Sequence, residues 1–173
     1  PWMATNMGMA LTSAIGGNMV VTPFYHVCDM YKGHMGSYAL KVIEDSPILR
    51  EAVKRRPPRR GPLGAKAPEE ITTTGEIRAL SVSASWNKNE NSLLITVVNR
   101  HLEQSIETEI MVPGVRIGNA SARMLTADLR DSNDFQNPER VVPRNAEAKA
   151  TEDKITYNAE PKSVNAIKIT LKK

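Results

Sequence analysis

Ser105-Ile-Glu-Thr-Glu-Ile-Met-Val112 sets Ile106, Thr108, Ile110 and Val112 against Ser105, Glu107 and Glu109 in strict alternation. Successive side chains of a strand point to opposite faces, so this stretch reads as a strand with one face in a core and the other in water. The habit recurs along the chain. Leu80, Val82, Ala84 and Trp86 alternate with small serines; Leu93, Ile95 and Val97 follow a polar turn at Asn87 to Asn91; Ile167, Ile169 and Leu171 alternate with Lys168 and Thr170. Ser121 to Ala127 and Lys154 to Tyr157 read as further strands, with turns at Pro113-Gly114, Gly118-Asn119 and Glu160-Pro161. Strands spaced at roughly ten to fifteen residues predict a mainly β domain over 38–173, an antiparallel sandwich with Leu80, Val82, Ile95, Val97, Ile106, Ile110, Ile167 and Ile169 turned inward.

Residues 1–37 follow a different period. Thr22-Pro23 is a helix start, Thr as the cap and Pro at the first helical position, where its missing N–H removes no helical bond. Phe24, Val27, Cys28 and Tyr31 then fall at i, i+3, i+4 and i+7, which predicts one apolar face on a helix over 23–34, ended by Gly33 and Gly36. Upstream, Met7 to Leu11 reads as a buried strand, and Gly16-Gly17-Asn18 as a loop between two hydrophobic pieces. A lone strand and helix cannot bury both their faces, so this piece belongs to something larger.

Composition excludes several classes. The 173 residues include 40% hydrophobic and 24% charged residues, the balance of a globular chain. No uncharged apolar run of membrane-spanning length exists, so no membrane partner is expected. A single cysteine, Cys28, forms no internal disulfide, and CxxC zinc patterns are absent. Net charge is +4, but the window Arg50 to Lys66 carries seven basic residues against Glu51 and accounts for +6. A nucleic-acid module spreads its charge over a face and interleaves aromatics, whereas Lys54-Arg-Arg-Pro-Pro-Arg-Arg60 has neither feature. The stretch at about 50–70 therefore reads as an extended Pro-rich loop, mobile and dispensable over 50–66, and nucleic acid is not the expected partner. The chain opens at Pro1-Trp2, so its first residue need not be the start of translation; the cellular location stays open, the cytoplasm being weakly favoured.

The candidates for chemistry are few. His26, Cys28, Asp29 and His34 are close in sequence, but their spacing spreads them around a helix, so helix packing is preferred to a metal site and no metal or cofactor is expected. His101 or His26 would need a serine elbow of the GxSxG type, which is missing. Cys28, on the apolar face, reads as a small buried thiol. Trp86 and Tyr157 suggest a sugar-stacking platform, with core packing the plainer alternative. Asn119-Ala-Ser121 is a glycosylation sequon, informative only in a secreted protein.

Four ordered motifs carry a resemblance. Val21-Thr-Pro-Phe-Tyr-His-Val-Cys-Asp-Met-Tyr-Lys32 resembles TPTYHVFDMYKVH of glycoside hydrolase family 51, the α-L-arabinofuranosidases. Ala79-Leu-Ser-Val-Ser-Ala-Ser85 resembles the family's ALSASAS strand. Leu125-Thr-Ala127 with Asn133-Asp-Phe-Gln-Asn-Pro-Glu-Arg-Val-Val-Pro143 resembles LTA and NxFxNPxxVxP, and Pro161-Lys-Ser-Val164 resembles PKSV. The resemblance implies a (β/α)8 barrel followed by a C-terminal jelly-roll-like sandwich, hydrolysing terminal arabinofuranosyl groups with retention. Residues 1–37 would then be the last strand–helix unit of the barrel and 38–173 the sandwich. Asn6-Met-Gly-Met9 stands where the family has Asn-Val-Leu-Gln, with Met9 at the place of a sugar-facing Gln, so no substrate-binding residue is carried over.

Retaining hydrolysis needs two carboxylates about 5–5.5 Å apart at the C-terminal ends of barrel strands. Residues 1–37 hold one, Asp29, inside the proposed helix, and the resemblance puts both catalytic glutamates upstream of this sequence. No catalytic residue is assigned. The expectation is a structural C-terminal portion of an α-L-arabinofuranosidase, partnered by a polypeptide carrying the rest of the barrel, oligomeric by implication of the resemblance, with an arabinose-containing saccharide as the assembly's substrate. A free-standing carbohydrate-binding sandwich is the alternative.

Overall fold

The computed structural model describes residues 12–55 and 71–172. In chain order these form β1 (Thr12–Ile15), β2 (Asn18–Val21), α1 (Pro23–Tyr31), a 3-10 turn (Lys32–His34), β3 (Tyr38–Ala39), β4 (Ile48–Arg55), β5 (Ile71–Arg78), β6 (Leu80–Asn87), β7 (Ser92–Asn99), β8 (Ile106–Met111), β9 (Ile117–Thr126), β10 (Arg144–Ala146), β11 (Ala148–Ala150), β12 (Lys154–Ala159) and β13 (Ser163–Leu171). The chain divides into two units, Pro1–Glu44 with Leu80–Lys173, and Asp45–Ala79.

The larger unit is an antiparallel sandwich. One sheet has six strands in the order β10-β9-β13-β7-β6-β3, the other three in the order β11-β12-β8. Register places alike faces together: Ile167 lies opposite Ile95 on one side and Ala122 on the other, Val82 opposite Val97, and Ile155 opposite Ile110. Leu80, Ile95, Val97, Ile155, Ile167 and Ile169 form one buried cluster between the sheets, and Val82, Ile106 and Ile110 pack on its margin. All eight residues expected inward are therefore in this core. Each fully buried aliphatic side chain contributes about 1.5–3 kcal/mol before entropy is charged.

Polar groups tie the two sheets across that core. The Tyr157 hydroxyl on β12 donates to Asn165 Oδ1 on β13 at 2.7 Å, and Asn99 Nδ2 on β7 donates to the Ala159 carbonyl on β12 at 3.0 Å. Asn165 Nδ2 in turn donates to the Val97 carbonyl and to Ser163 Oγ, both at 2.9 Å, so the buried amide is satisfied at both ends. One expected turn is missing. Gly118-Asn119 lies inside β9, where a Cβ on Gly118 would sit 3.0 Å from the Thr170 carbonyl oxygen. The glycine permits this close strand approach beside the register shift at Thr170/Leu171.

Ahead of the sandwich, the strand expected at Met7 to Leu11 lies outside the described residues. Gly16 and Gly17 join β1 to β2 with φ of 57° and 88°, and a two-residue type I′ hairpin requires positive φ at both positions. Thr22 caps α1, its hydroxyl accepting from the Tyr25 N–H at 3.4 Å, with Pro23 at the first turn. The helix expected over 23–34 is thus an α-helix that tightens into a 3-10 turn at Lys32.

The smaller unit is a two-stranded hairpin, β4 against β5, with Ile48 opposite Arg78 and Arg55 opposite Ile71. At its base the Ala79 N–H donates to the Pro47 carbonyl at 2.8 Å. Residues 50–55 of the expected loop are strand, because β-branched Ile71, Thr72, Thr73 and Thr74 supply them with a partner that outweighs the repulsion of their charges. The rest of that loop, 56–70, lies outside the described residues.

Candidate functional site

The outer face of the six-stranded sheet carries α1 and the segment 127–143. Odd-numbered residues of β9 from Asn119 to Leu125 and even-numbered residues of β7 and β13 point this way, whereas Ile117, beyond the register shift, turns into the core between the sheets. Met30, Leu125, Val141 and Ala166 form a second buried cluster there, with Val27, Leu94, Ala127 and Val164 packed on it. The helix therefore docks through Val27 and Met30; of the apolar face expected at Phe24, Val27, Cys28 and Tyr31, Val27 alone joins this cluster. Phe24 and Tyr25 are each 40% exposed, and Cys28 is exposed, not the buried thiol that its neighbours suggested. The rotation is fixed by polar bonds that sequence periodicity does not register.

Asp29 supplies the first. Its carboxylate accepts from Lys32 Nζ and from Arg123 on β9, the latter at 3.1 Å. The hydrogen bond from Lys32, then that from Arg123, holds its carboxyl below the usual range. A carboxylate kept ionised by two cations serves as a pin between helix and sheet and is a poor general acid. His34 supplies the second, with Nδ1 2.7 Å from Ser85 Oγ on β6 and Nε2 3.2 Å from Thr96 Oγ1 on β7. Burial lowers its pKa, and burial likewise lowers that of His26, where Asp29 acts in the opposite sense. Asp29 and His34 thus reach different strands, and among the described residues no three His, Cys, Asp or Glu side chains gather into a metal-holding group.

The remaining candidates are dispersed. His101 Nδ1 accepts from the backbone N–H groups of Glu103 and Gln104 at 3.1 and 2.9 Å, which organises a turn, and among the described residues no serine is bonded to the ring. Tyr157 is 1% exposed and its hydroxyl is pushed up to about 12 by burial, so it cannot pair with Trp86 as a sugar platform. Trp86 is half-buried, 6.0 Å from the Tyr38 ring at 37°, on the inward side of β6. Asn119 and Ser121 lie within β9, paired to Thr170 and Lys168 of β13. Of the basic run, Lys54 and Arg55 end β4, and Arg56 to Arg60 lie outside the described residues. A cleft of about 430 Å³ lies beside β10 and β12, lined by Glu107, Arg144, Glu147, Asn158 and Glu160, of which Glu160 is held by Arg144 at 2.6 Å.

A further polar constellation on the helix face centres on Asn133, a residue of the NxFxNPxxVxP-like motif. Asn133 Nδ2 donates to the carbonyls of Val21, at 2.8 Å, and Val141, at 3.0 Å, while its Oδ1 accepts from the Val141 N–H at 2.7 Å. Next to it, Asp134 Oδ1 accepts from the N–H groups of Gln136 and Asn137, and these bonds, Asn137's first, lower its pKa. An ion pair of Arg140 with Asp131 at 2.6 Å spans the same loop. The visible signal was the run Asp131-Ser-Asn-Asp134, whose side chains favour local turns; its long-range target, Val21, had none.

These features define a class: a two-sheet antiparallel β-sandwich domain that holds a hairpin and a capped helix on its outer sheet. Residues 3–163 match the sequence model of the α-L-arabinofuranosidase C-terminal domain, and the chain belongs to that family. Comparison with curated protein sequences gives no match. Among solved structures, the chain is similar to the family 51 arabinofuranosidase of Xanthomonas axonopodis pv. citri, with 21% identity, a TM-score of 0.74, and coverage of 93% of this chain and 29% of that one. It is also similar to the α-L-arabinofuranosidase of Thermotoga maritima in an arabinose complex, with 18% identity, a TM-score of 0.67, and coverage of 92% and 31%. A third similar structure is the family 51 α-L-arabinofuranosidase of Bifidobacterium longum, with 16% identity, a TM-score of 0.71, and coverage of 92% and 28%. The chain spans less than a third of the length of each of these relatives, and matches their C-terminal part.

Proposed function

We propose that the chain is the supporting C-terminal part of an assembly that hydrolyses terminal α-L-arabinofuranosides with retention. In this reading residues 1–37 complete a (β/α)8 barrel and 38–173 form its companion sandwich. The two catalytic carboxylates come from the rest of the barrel, so no catalytic residue is assigned within this chain, and an arabinose-containing saccharide is the substrate of the whole. The observation that carries the reading is the state of α1. One side is pinned to the sandwich by Met30, Val27 and the Asp29–Arg123 bond, while Phe24, Tyr25 and Cys28 on the other are exposed. A helix with two apolar sides is an interior helix of a larger layered structure, and barrel helices are covered by neighbours on both flanks.

Asp29 fits a support role, since its oxygens are engaged by Lys32 and Arg123 and it lies on the sandwich side of the helix. The test is an assay on an aryl α-L-arabinofuranoside with the purified chain alone and after mixing with a polypeptide that carries the earlier barrel strands. Turnover only in the mixture is expected. Binding of arabinan by the chain alone, without any gain on mixing, would favour a free-standing binding module.

A further inference from the structure

We infer that Asn133 is a positioning residue: from the sandwich it fixes the hairpin β1–β2, and through that hairpin it shapes the substrate site of the assembled enzyme. The inference rests on the barrel reading above. In a (β/α)8 barrel the segment that leads into a helix is a βα loop, and the active site is built from these loops. The hairpin β1–β2 is the segment that leads into α1, with only Thr22 between them.

The two central residues of β2 face opposite ways. Val20 is 4% exposed, whereas Met19, which points the opposite way, is 65% exposed beside the Gly16-Gly17 turn. Two strands of four residues are too short to hold a fixed pose unaided. What anchors the end of β2 is the Asn133 amide, whose bond to the Val21 carbonyl at 2.8 Å crosses 112 positions of sequence. Asn133 is itself held by Val141 through both its amide nitrogen and its oxygen, and Val141 is buried in the cluster under α1. A displacement of the sandwich loop is thus transmitted to the corner where hairpin becomes helix, and from there to Met19 and the turn. Asn133 touches no substrate in this account; it acts through the hairpin.

Asn133→Asp separates the bonds. Asp keeps the acceptor for the Val141 N–H and loses both donors, including the one to Val21. In the full chain, backbone amide exchange over residues 12–21 is expected to quicken by about tenfold or more while amides of β7 and β13 keep their rates. A uniform rise everywhere, or no change in the hairpin, would overturn the coupling. In the mixed enzyme, KM for the aryl arabinofuranoside is expected to rise by about fivefold with kcat within about twofold, because a shifted wall weakens binding without removing a reacting group. An unchanged KM with exchange altered would overturn the role in the site. If the wild-type mixture lacks turnover, the barrel reading fails, and the exchange result still decides the coupling. Should Asn133→Asp not fold, Asn133→Ala, which removes all three bonds, is read by the same hairpin exchange and KM measurements, with the same outcomes overturning the coupling.

Discussion

Tyr157 shows how much one buried hydroxyl contributes. Its bond to Asn165 joins the two sheets, and Tyr157→Phe would leave Asn165 Oδ1 in the core without a donor. A loss of about 1–3 kcal/mol in urea unfolding is expected. The same tyrosine gives a pH signature at the alkaline end. Its folded pKa of about 12 lies above the ordinary 10.0, so its contribution is complete below pH 10 and is lost as pH rises towards 12. At the acid end the signs are reversed. Burial lowers His34 and His26 from the ordinary 6.5, so the unfolded chain takes up protons first, and stability falls as pH drops below 6.5. Asp29, lowered from 3.8 chiefly by the Lys32 hydrogen bond, adds a further loss below that value. The urea midpoint is expected to decrease from pH 7 to pH 5 in the wild type, and by less in His34→Gln.

At the level of elements, the helix is the most informative piece. Met30→Ala is expected to cost about 2–5 kcal/mol, since Met30 is 4% exposed against Leu125, Val141 and Ala166. Phe24→Ala in the isolated chain should cost less than about 1 kcal/mol, and Phe24→Asp should leave the chain folded but weaken its association with the barrel polypeptide. Thermal unfolding and a binding titration read the two effects separately. Asp29→Asn tests the role of the lone carboxylate. As an exposed ion pair it is worth about 1 kcal/mol or less, and turnover of the mixed enzyme should stay within about twofold, whereas a catalytic carboxylate would lose orders of magnitude.

The strands were legible because period-two alternation follows from backbone geometry alone, and Leu80 to Trp86 or Ile106 to Val112 needs no tertiary information. The face of α1 was not, because both sides are apolar and the choice between Cys28 and Met30 is made by Arg123, ninety-four positions from Asp29. Asn133 was hidden for the same reason. A hydrogen bond to a distant carbonyl leaves no periodic trace. The hairpin β4–β5 was obscured by its charges, which dominated the reading of Arg50 to Arg55 although alternating partners stood ready in Ile71 to Arg78.

At the scale of the molecule, the larger unit joins two kinds of surface. Between the sheets it is a complete core, and on its outer sheet it holds a hairpin and a helix whose second side is uncovered. That asymmetry is the physical content of the claim that this chain supports a barrel completed by other sequence. The decisive measurement is hydrolysis of an aryl α-L-arabinofuranoside by the purified chain, alone and mixed with a polypeptide carrying the earlier barrel strands. No turnover above the uncatalysed rate is expected for the chain alone, and turnover should rise to saturation as the partner is added. Hydrolysis by the chain alone, surviving removal of every contaminating hydrolase, would contradict that claim.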